Sequence, residues 1–308
     1  MSADQCEPHP VRPLVSVVIP TRDRQSLLLR AVDSVLQQSE SNLELIIVDD
    51  ASSDETAAFL ARLKRHDGRV RTLRNDHPAG GAAARNQGIA LSRGQWIAFL
   101  DDDDEWMPAK LQRQLQMLQS SPAAVACSCN FVMRFSSGRS KLVQVAKNAT
   151  LQQLLFENEL GSASLCVCSS AVLKDIGGFD ASLPSAQDQD LWARVRQHGN
   201  VMVCTEPLVL YRAHTGRRIS NNMQSQYLGA RRFYFKHRHD MDAACRRGRM
   251  ARTCFLMSRQ PDRGARHRLR YLLLSMRNSS PLEALAYAAS SLPRLLSDAV
   301  FGIGATQP

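Results

Sequence analysis

The chain has 308 residues, of which 44% are hydrophobic, so it can bury a large core and is not a disordered protein. Its formal net charge of +10 indicates an anionic partner, such as a phosphorylated substrate or an acidic membrane surface. A nucleic-acid partner is not expected, because the few aromatic residues are not interleaved with the basic ones.

Up to Leu100, short apolar runs alternate with segments of helical periodicity. Strands are predicted at Val15–Ile19, Leu43–Val48, Val70–Leu73 and Trp96–Leu100. Helices are predicted at Leu27–Leu36, from Asp54 to about His66, and at Ala82–Leu91. This alternation predicts a parallel sheet built from right-handed crossovers.

Beyond Pro108 the pattern is less regular. Helices are predicted at Lys110–Leu118 and Asp188–Gln197, and strands at Val125–Phe135, Leu142–Val145, Val201–Val203 and Leu208–Tyr211. From about Tyr227 the periods are helical and the composition is basic. We therefore expect an N-terminal arm at 1–13, an α/β domain at 14–224 and a basic helical C-terminal region at 225–308.

The 8 cysteines form no CxxC pair and no zinc-finger spacing, which favours buried free thiols in a reducing compartment. Met1–Pro13 lacks the basic-then-apolar pattern of a signal peptide. No apolar stretch reaches the roughly 18 residues of a spanning helix. The expected location is cytoplasmic, with peripheral attachment to the inner face of the cytoplasmic membrane as an open alternative.

Four consecutive aspartates, Asp101–Asp104, follow the predicted strand Trp96–Leu100 directly. Carboxylates at the carboxyl end of a strand fall where open α/β sheets bind ligands. Four adjacent like charges repel one another, so folding alone does not explain them. A solvated acidic turn is the plain alternative, but a site for Mg²⁺ or Mn²⁺, which prefer carboxylate oxygens, is favoured.

Five motifs in order resemble those of family 2 glycosyltransferases with a GT-A fold. They cover Val15 to about Ser220 and lie at Val15–Thr21, Ile46–Asp54, Ala84–Gly88, Phe99–Asp104 and Asp188–Trp192. The resemblance implies a Rossmann-like mixed sheet flanked by helices, here with a C-terminal helical tail. It also implies sugar transfer from a nucleotide donor, with UDP as the expected nucleotide.

For the nucleotide, the resemblance assigns Asp50 to the N–H of uracil and implies further donor contacts at Pro20 and Thr21. A helix cap is the plain alternative for an aspartate here, although Asp49 and Asp54 fit that role better.

The small residues at Gly80–Ala84 suit close approach of a backbone to a ligand, and a helix N-terminus there favours anionic oxygens. Arg85 is then expected to meet uracil or pyrophosphate, with Asn86 hydrogen-bonding nearby. A solvated helical arginine is the alternative.

By the same resemblance, Asp103 binds a divalent metal, Mn²⁺ or Mg²⁺, that bridges the diphosphate, and Asp101 or Asp102 holds the ribose. The fourfold run leaves the register open by one residue. For Asp104, capping the turn before Trp106 is an alternative to a role in the site.

Asp188 matches the family's catalytic base, although Gln187 stands where glutamate usually precedes it. The sequence Tyr211-Arg212-Ala213-His214 resembles the family's closing motif, which makes His214 a candidate contact for metal or phosphate. An exposed loop histidine is the alternative.

The expected activity is inverting transfer to a hydroxyl of a glycan or lipid-linked acceptor, in cell-surface polysaccharide or lipopolysaccharide synthesis. A magnesium-dependent phosphoryl-transfer enzyme or phosphatase is one alternative, and a non-catalytic nucleotide-sugar binding protein is another. The tail beyond Tyr227, with the cationic and aromatic stretch Arg231–Lys236 and the more apolar Leu282–Phe301, is expected to bind an anionic membrane. Packing on the catalytic domain, or homodimer formation, remains the competing role for the tail.

Overall fold

A computed structural model describes residues 13–213, 222–260, 263–280, 282–289 and 291. The chain divides into two compact units. The sheet unit comprises residues 1–149, 159–179 and 194–214, and the helical unit comprises 150–158, 180–193 and 215–308. Each unit therefore draws on separate stretches of the sequence.

The sheet unit contains all nine strands of the described chain. They are β1 (Val15–Thr21), β2 (Leu43–Asp49), β3 (Val70–Arg74), β4 (Trp96–Phe99), β5 (Asp104–Trp106), β6 (Ala124–Phe135), β7 (Ser140–Val143), β8 (Val167–Ser169) and β9 (Asn200–Ala213). Its helices are α1 (Gln25–Leu36), α2 (Thr56–His66), α3 (Gly81–Leu91), α4 (Lys110–Gln119) and α6 (Ser170–Asp175).

The strand order is β3-β2-β1-β4-β8-β6-β9-β5, with β7 pairing with β6. Strands β1 to β4 are parallel, as predicted. Strand β8 then runs antiparallel to both β4 and β6, which makes the sheet mixed. Because β1 lies between β2 and β4, the carboxyl ends of these three strands meet at one edge of the sheet.

The core of the sheet unit is built on β1 and β2, in which every residue is buried. Their long apolar runs are typical of strands covered on both faces. Helix α3 packs closely against β1, since a Cβ on Gly88 would lie 2.3 Å from Val18 Cγ1. This contact sets the position of the N-terminus of α3 near the carboxyl edge of the sheet.

The helical unit contains α5 (Leu151–Phe156), α8 (Met223–His237), α9 (Ala243–Ser258), α10 (Ala265–Arg277) and the first residues of α7 (Gln187–Gln197). Leu155, Ala193, Phe233, Met241 and Cys245 form its hydrophobic cluster. The tail helices therefore pack on two segments, 150–158 and 180–193, that the sequence had placed in the α/β domain. The predicted domain boundaries, 14–224 and 225–308, remain a prediction.

The short elements β5, α5, β8 and α6 were not predicted, and the two strands expected between Val201 and Tyr211 are one continuous strand, β9. The seven described cysteines are free and buried, as expected. Among the described residues, no helix is both long and apolar enough to cross a membrane. Residues 1–12 of the predicted arm at 1–13 lie outside the described residues.

Candidate active site

The carboxyl ends of β1 and β4 are joined through side chains. Thr21, the last residue of β1, donates its hydroxyl to Asp102 Oδ2 at 2.8 Å. Arg24, in the loop after β1, donates to Asp102 Oδ1 at 3.0 Å and to Asp103 Oδ2 at 3.4 Å. The backbone N–H of Asp101 donates to the hydroxyl of Ser164 at 3.1 Å. These bonds fix the path of the acidic run across the sheet edge.

The acidic run separates into one aspartate and a group of three. Asp102 faces Thr21 and Arg24, whereas one carboxylate oxygen from each of Asp101, Asp103 and Asp104 lies within 4.8 Å of the other two. Three converging carboxylates supply the hard oxygen ligands that Mg²⁺ and Mn²⁺ prefer. Asp104 is therefore close enough to the other two to offer a ligand atom as well.

The carboxyl group of Asp102 is buried, and burial changes its pKa. Burial raises the pKa of its carboxyl to about 6, although the charge of Arg24 and the hydroxyl of Thr21 act in the opposite direction. The residue is only 5% exposed. Both oxygens of this carboxyl therefore have protein partners, Thr21 and Arg24.

Asp50, directly after β2, anchors the loop that leads into α3. Its Oδ1 accepts the backbone N–H of Ala79 at 2.7 Å and the amide of Asn75 at 2.9 Å. Its Oδ2 accepts the N–H of Gly80 at 2.8 Å. Burial raises the pKa of Asp50, but these hydrogen bonds outweigh it and the pKa is lowered overall. Asp50 is therefore ionised and held at the carboxyl edge of the sheet.

Gly80 precedes α3 with a φ of 90°, in the left-handed region that favours glycine. Its N–H is one of the groups that Asp50 holds. The other two aspartates considered as helix caps bond different backbone groups. Asp49 accepts the N–H of Ser52, and Asp54 accepts that of Thr56, the first residue of α2. Asp50 itself thus serves the approach to α3, and any uracil contact must come in addition.

Arg85 and Asn86, on the first turns of α3, have different surroundings. Arg85 forms a short ion pair with Asp101, and its guanidinium lies 5.4 Å from the ring centre of Phe179. Asn86 donates to the carbonyl of Phe179 at 2.8 Å and accepts its N–H at 2.7 Å. Arg85 therefore reaches the acidic group, whereas Asn86 positions Phe179.

Asp188 lies in the first turn of α7 and is half-buried. Two residues later, Asp190 is fully buried, with His237 Nε2 and Lys236 Nζ each 2.8 Å from its Oδ1. Lys236 also contacts Asp180, at the start of the preceding loop, at 2.7 Å. The last turn of α8 thus holds both the loop and the start of the helix that carries Asp188.

Of the remaining predicted site residues, Pro20 is buried in β1 beside Thr21. His214 lies outside the described residues. The structure brings Thr21, Asp50, Arg85 and Asp101–Asp103 to one edge of the sheet unit, while Asp188 belongs to the helical unit.

Several residues that build the site were not predicted. Arg24 pairs with the acidic run, Asn75 holds Asp50, Ser164 holds Asp101, and Lys236 and His237 hold Asp190. For Arg24 the sequence carried a signal, because a cation three residues beyond the end of β1 falls at the edge where the aspartates collect. Ser164, Lys236 and His237 carry none, since only tertiary folding brings them near their partners.

Curated relatives that match most of this chain carry the names of glycosyltransferases. A protein of Escherichia coli K12, whose name assigns it to colanic acid biosynthesis as a glycosyl transferase, is 29% identical over 276 residues, which is 88% of this chain and 96% of the relative. The Escherichia coli UDP-Glc:alpha-D-GlcNAc-diphosphoundecaprenol beta-1,3-glucosyltransferase WfaP is 26% identical, covering 68% of this chain and 82% of the relative.

Solved structures show the same fold. TarS 1-349 of S. aureus in complex with UDP-GlcNAc superposes with a TM-score of 0.61 at 15% identity, covering 94% of this chain and 92% of that one. The mannosyltransferase PcManGT of Pyrobaculum calidifontis, in complex with GDP-Man and Mn²⁺, gives 0.60 at 17% identity, covering 97% and 89%. These proteins are GT-A-type transferases, which confirms the predicted fold class.

The family comparison covers about half of the chain and includes most of the sheet edge. Residues 16–175 match the family described as glycosyl transferase family 2. This range contains Thr21, Asp50, Arg85 and the whole acidic run, whereas Asp188 lies beyond it. The chain belongs to glycosyl transferase family 2.

Proposed function

We propose that this glycosyltransferase moves a sugar from a UDP-sugar to a hydroxyl of a glycan or lipid-linked glycan, with inversion at the anomeric carbon and with the help of a divalent cation. The observation that carries the proposal is the convergence of Asp101, Asp103 and Asp104 within 4.8 Å at the sheet edge. Asp50 and Arg85 flank this group on neighbouring elements of the same unit.

For the metal, the donor set fits Mn²⁺ or Mg²⁺, because the group consists of three aspartates and contains no histidine or cysteine. Asp103 is the proposed principal ligand, and Asp104 is a second candidate from the same group. A divalent cation held there supplies positive charge against the nucleoside diphosphate as it departs. His214 remains a prediction from the sequence.

For the nucleotide, Asp50 is proposed to accept the N–H of uracil, and Arg85 to approach the uracil or pyrophosphate. Asp101 is favoured over Asp102 for the ribose hydroxyls, since both oxygens of Asp102 are already engaged by Thr21 and Arg24. We therefore assign Thr21 to positioning Asp102, and Asn86 to positioning Phe179. Pro20 is assigned to the end of β1 beneath the nucleotide.

For the transfer step, Asp188 is proposed to accept the proton of the acceptor hydroxyl. The acceptor oxygen then forms a bond to the anomeric carbon while the bond to the diphosphate oxygen breaks, and the diphosphate leaves with the electron pair. One displacement of this kind inverts the anomeric centre and needs no protein nucleophile. Lys236 and His237 support the step indirectly, by holding Asp190 on the same helix.

For the acceptor, support comes from relatives named for lipid-linked sugars, such as the diphosphoundecaprenol glucosyltransferase of Escherichia coli. A lipid-linked glycan acceptor in polysaccharide synthesis is therefore proposed, with the enzyme at the inner face of the cytoplasmic membrane.

The testing experiment is a screen of nucleotide sugars, with Mn²⁺ present, for binding and for slow release of the free sugar. A UDP-sugar that binds and is hydrolysed supports the proposal and names the donor. Release of inorganic phosphate from simple phosphate esters, with no sugar release, would instead indicate a phosphatase. Binding of a UDP-sugar without turnover, even after addition of lipid-linked acceptors, would indicate a binding protein.

A further inference from the structure

Helix α10 has one buried face and one exposed face. The buried face repeats at helical spacing through Arg268, Leu272 and Ser275. On an adjacent face, about 100° around the helix from the buried residues, Leu269 is 42% and Leu273 is 57% exposed. Large apolar side chains at neighbouring exposed positions of one helix are not required by the core of this unit, because Leu272 already fills that role.

Arginines lie beside these exposed leucines on the helix. A hollow of about 460 Å³ on this face is lined by Arg266, Leu269, Arg270, Leu273, Leu274 and Arg277. Helix α10 contains no acidic residue. Within the described residues, no ion pair is formed by Arg266, Arg270 or Arg277. The result is an apolar strip with an uncompensated positive border.

The helical segment 282–289 in the same unit continues the apolar character. Its exposed positions are Leu282, Leu285, Ala286 and Ala289, which recur at helical spacing and include no polar residue. Leu282 is 80% and Leu285 is 67% exposed. Two successive helical segments therefore present leucines to the outside, and the first of them adds the arginines.

We propose that this surface, formed by the exposed face of α10 and the exposed face of 282–289, binds the surface of an anionic phospholipid bilayer. Leucines of an interfacial helix insert at the boundary of headgroups and acyl chains, while arginines on the same helix contact the lipid phosphates. The arginine border matches the charge of such a leaflet.

A second copy of the chain fits this surface less well. In a twofold interface the same patch meets itself, so Arg266, Arg270 and Arg277 would face their own equivalents without an acidic partner on α10. Like charges brought together in this way oppose association. The bilayer is therefore the occupant that the charges favour.

The proposed surface is one defined part of the tail that was expected to bind an anionic membrane. The stretch Arg231–Lys236, first expected to contact lipid, includes Phe233, which is fully buried, and Lys236, which pairs with Asp180 and Asp190. Truncation before α8 would expose the cluster around Phe233, so point variants of the full chain are the appropriate test.

The experiment measures co-sedimentation of the full chain with two kinds of vesicle, phosphatidylcholine alone and phosphatidylcholine mixed with phosphatidylglycerol. One variant combines Leu269→Gln with Leu273→Gln, and a second combines Arg266→Gln, Arg270→Gln and Arg277→Gln. The matched control combines Arg62→Gln, Lys64→Gln and Arg65→Gln, which removes the same charge from exposed positions on α2. Glutamine keeps helix propensity, so all variants are expected to fold, which circular dichroism checks.

The wild type and the α2 control are expected to bind the anionic vesicles equally, and each α10 variant to bind at least about tenfold more weakly. Binding to phosphatidylcholine alone is expected to be weak for all four. Equal vesicle binding by the α10 variants and the control overturns the proposal, as does a dimer that only the leucine variant loses. Slow hydrolysis of donor sugar without vesicles should be unchanged in the α10 variants, so this proposal and the proposed transfer can fail separately.

Discussion

The acidic run Asp101–Asp104 at the sheet edge and the arginine border of α10 both concentrate like charges, but their surroundings differ. Asp101, Asp102 and Asp103 each contact a guanidinium group and are buried or half-buried. Arg266, Arg270 and Arg277 are exposed, and within the described chain they contact no acidic group. Carboxylates that form ion pairs are held in fixed positions. Exposed arginine side chains without such partners can move.

This difference indicates two kinds of recognition. A fixed group of carboxylates suits one ion and one diphosphate at defined distances, because electrostatic stabilisation of a reaction requires preorganised groups. A flexible positive border suits a fluid surface with many equivalent phosphates, where attraction adds up over several residues and weakens with salt. Single substitutions should therefore abolish function at the first region and only weaken it at the second.

The largest effect is expected for Asp103→Ala. Loss of this carboxylate would weaken the binding of the divalent cation that is proposed to offset the charge of the departing diphosphate, and turnover should fall by at least about 10². The assay is transfer or donor hydrolysis with Mn²⁺. Asp33→Ala, which removes an exposed carboxylate from α1, is the matched control and should retain activity. Full activity of Asp103→Ala in excess EDTA would exclude the metal-dependent mechanism.

Next in size is Asp188→Asn, which should reduce transfer by roughly 10²–10⁴, the usual contribution of a general base. UDP affinity should stay nearly unchanged, because the residues proposed to bind the nucleotide lie in the sheet unit and Asp188 does not. Asp175→Asn, at an exposed position, controls for the loss of one charge. Loss of UDP binding with an unchanged turnover number would show that Asp188 is not the base.

A buried charge in the helical unit provides the third prediction. Asp190→Asn leaves Lys236 and His237 without their shared buried carboxylate, so the free energy of unfolding should fall by about 3 kcal/mol, as for broken buried pairs. Chemical denaturation measures this change. Asp240→Asn, whose half-exposed carboxylate lies 3.7 Å from His237, should cost much less. Equal losses in the two variants would mean that Asp190 does not hold α8.

The smallest effect concerns Asp50 and pH. Its folded pKa is lowered, so its carboxylate contributes stability that is complete above the unfolded value near 3.8 and is lost as pH falls through the folded value. Asp50→Asn should therefore lower the free energy of unfolding at pH 7 by about 1–2 kcal/mol, which thermal denaturation detects as a lower melting temperature. This difference from the wild type should shrink below pH 4. A difference that stays constant between pH 7 and pH 3 would contradict the assigned hydrogen bonds to Ala79 and Gly80.

The first half of the sheet was predictable because β-branched runs and helical periods alternate there without interruption. Strand β9 was predicted as two pieces because Pro207 interrupts it. The structure accommodates this proline at Asn130, where the register with β6 shifts, and a proline is tolerated at such an irregularity. Strand β5 was missed because its three residues, two of them acidic, carry no strand pattern.

In the site, the sequence placed the acidic run at a strand end, but not the direction of each carboxylate. The carboxylate of Asp102 points away from the group of the other three, because Thr21 and Arg24 donate hydrogen bonds to it. Similarly, the partners of Asp190 follow it by 46 and 47 residues, and no local pattern pairs them. Contacts of this kind depend on tertiary packing, which periodicity does not report.

The central claim is that the carboxylates at the sheet edge hold a divalent cation that binds the nucleotide diphosphate. Calorimetric titration of UDP into the wild type and into Asp103→Ala, each with and without Mn²⁺, tests it most directly. We expect Mn²⁺ to strengthen UDP binding by the wild type at least about tenfold and to have little effect on the variant. Equal UDP affinity of the wild type with and without Mn²⁺, or an equal enhancement in Asp103→Ala, would contradict the claim.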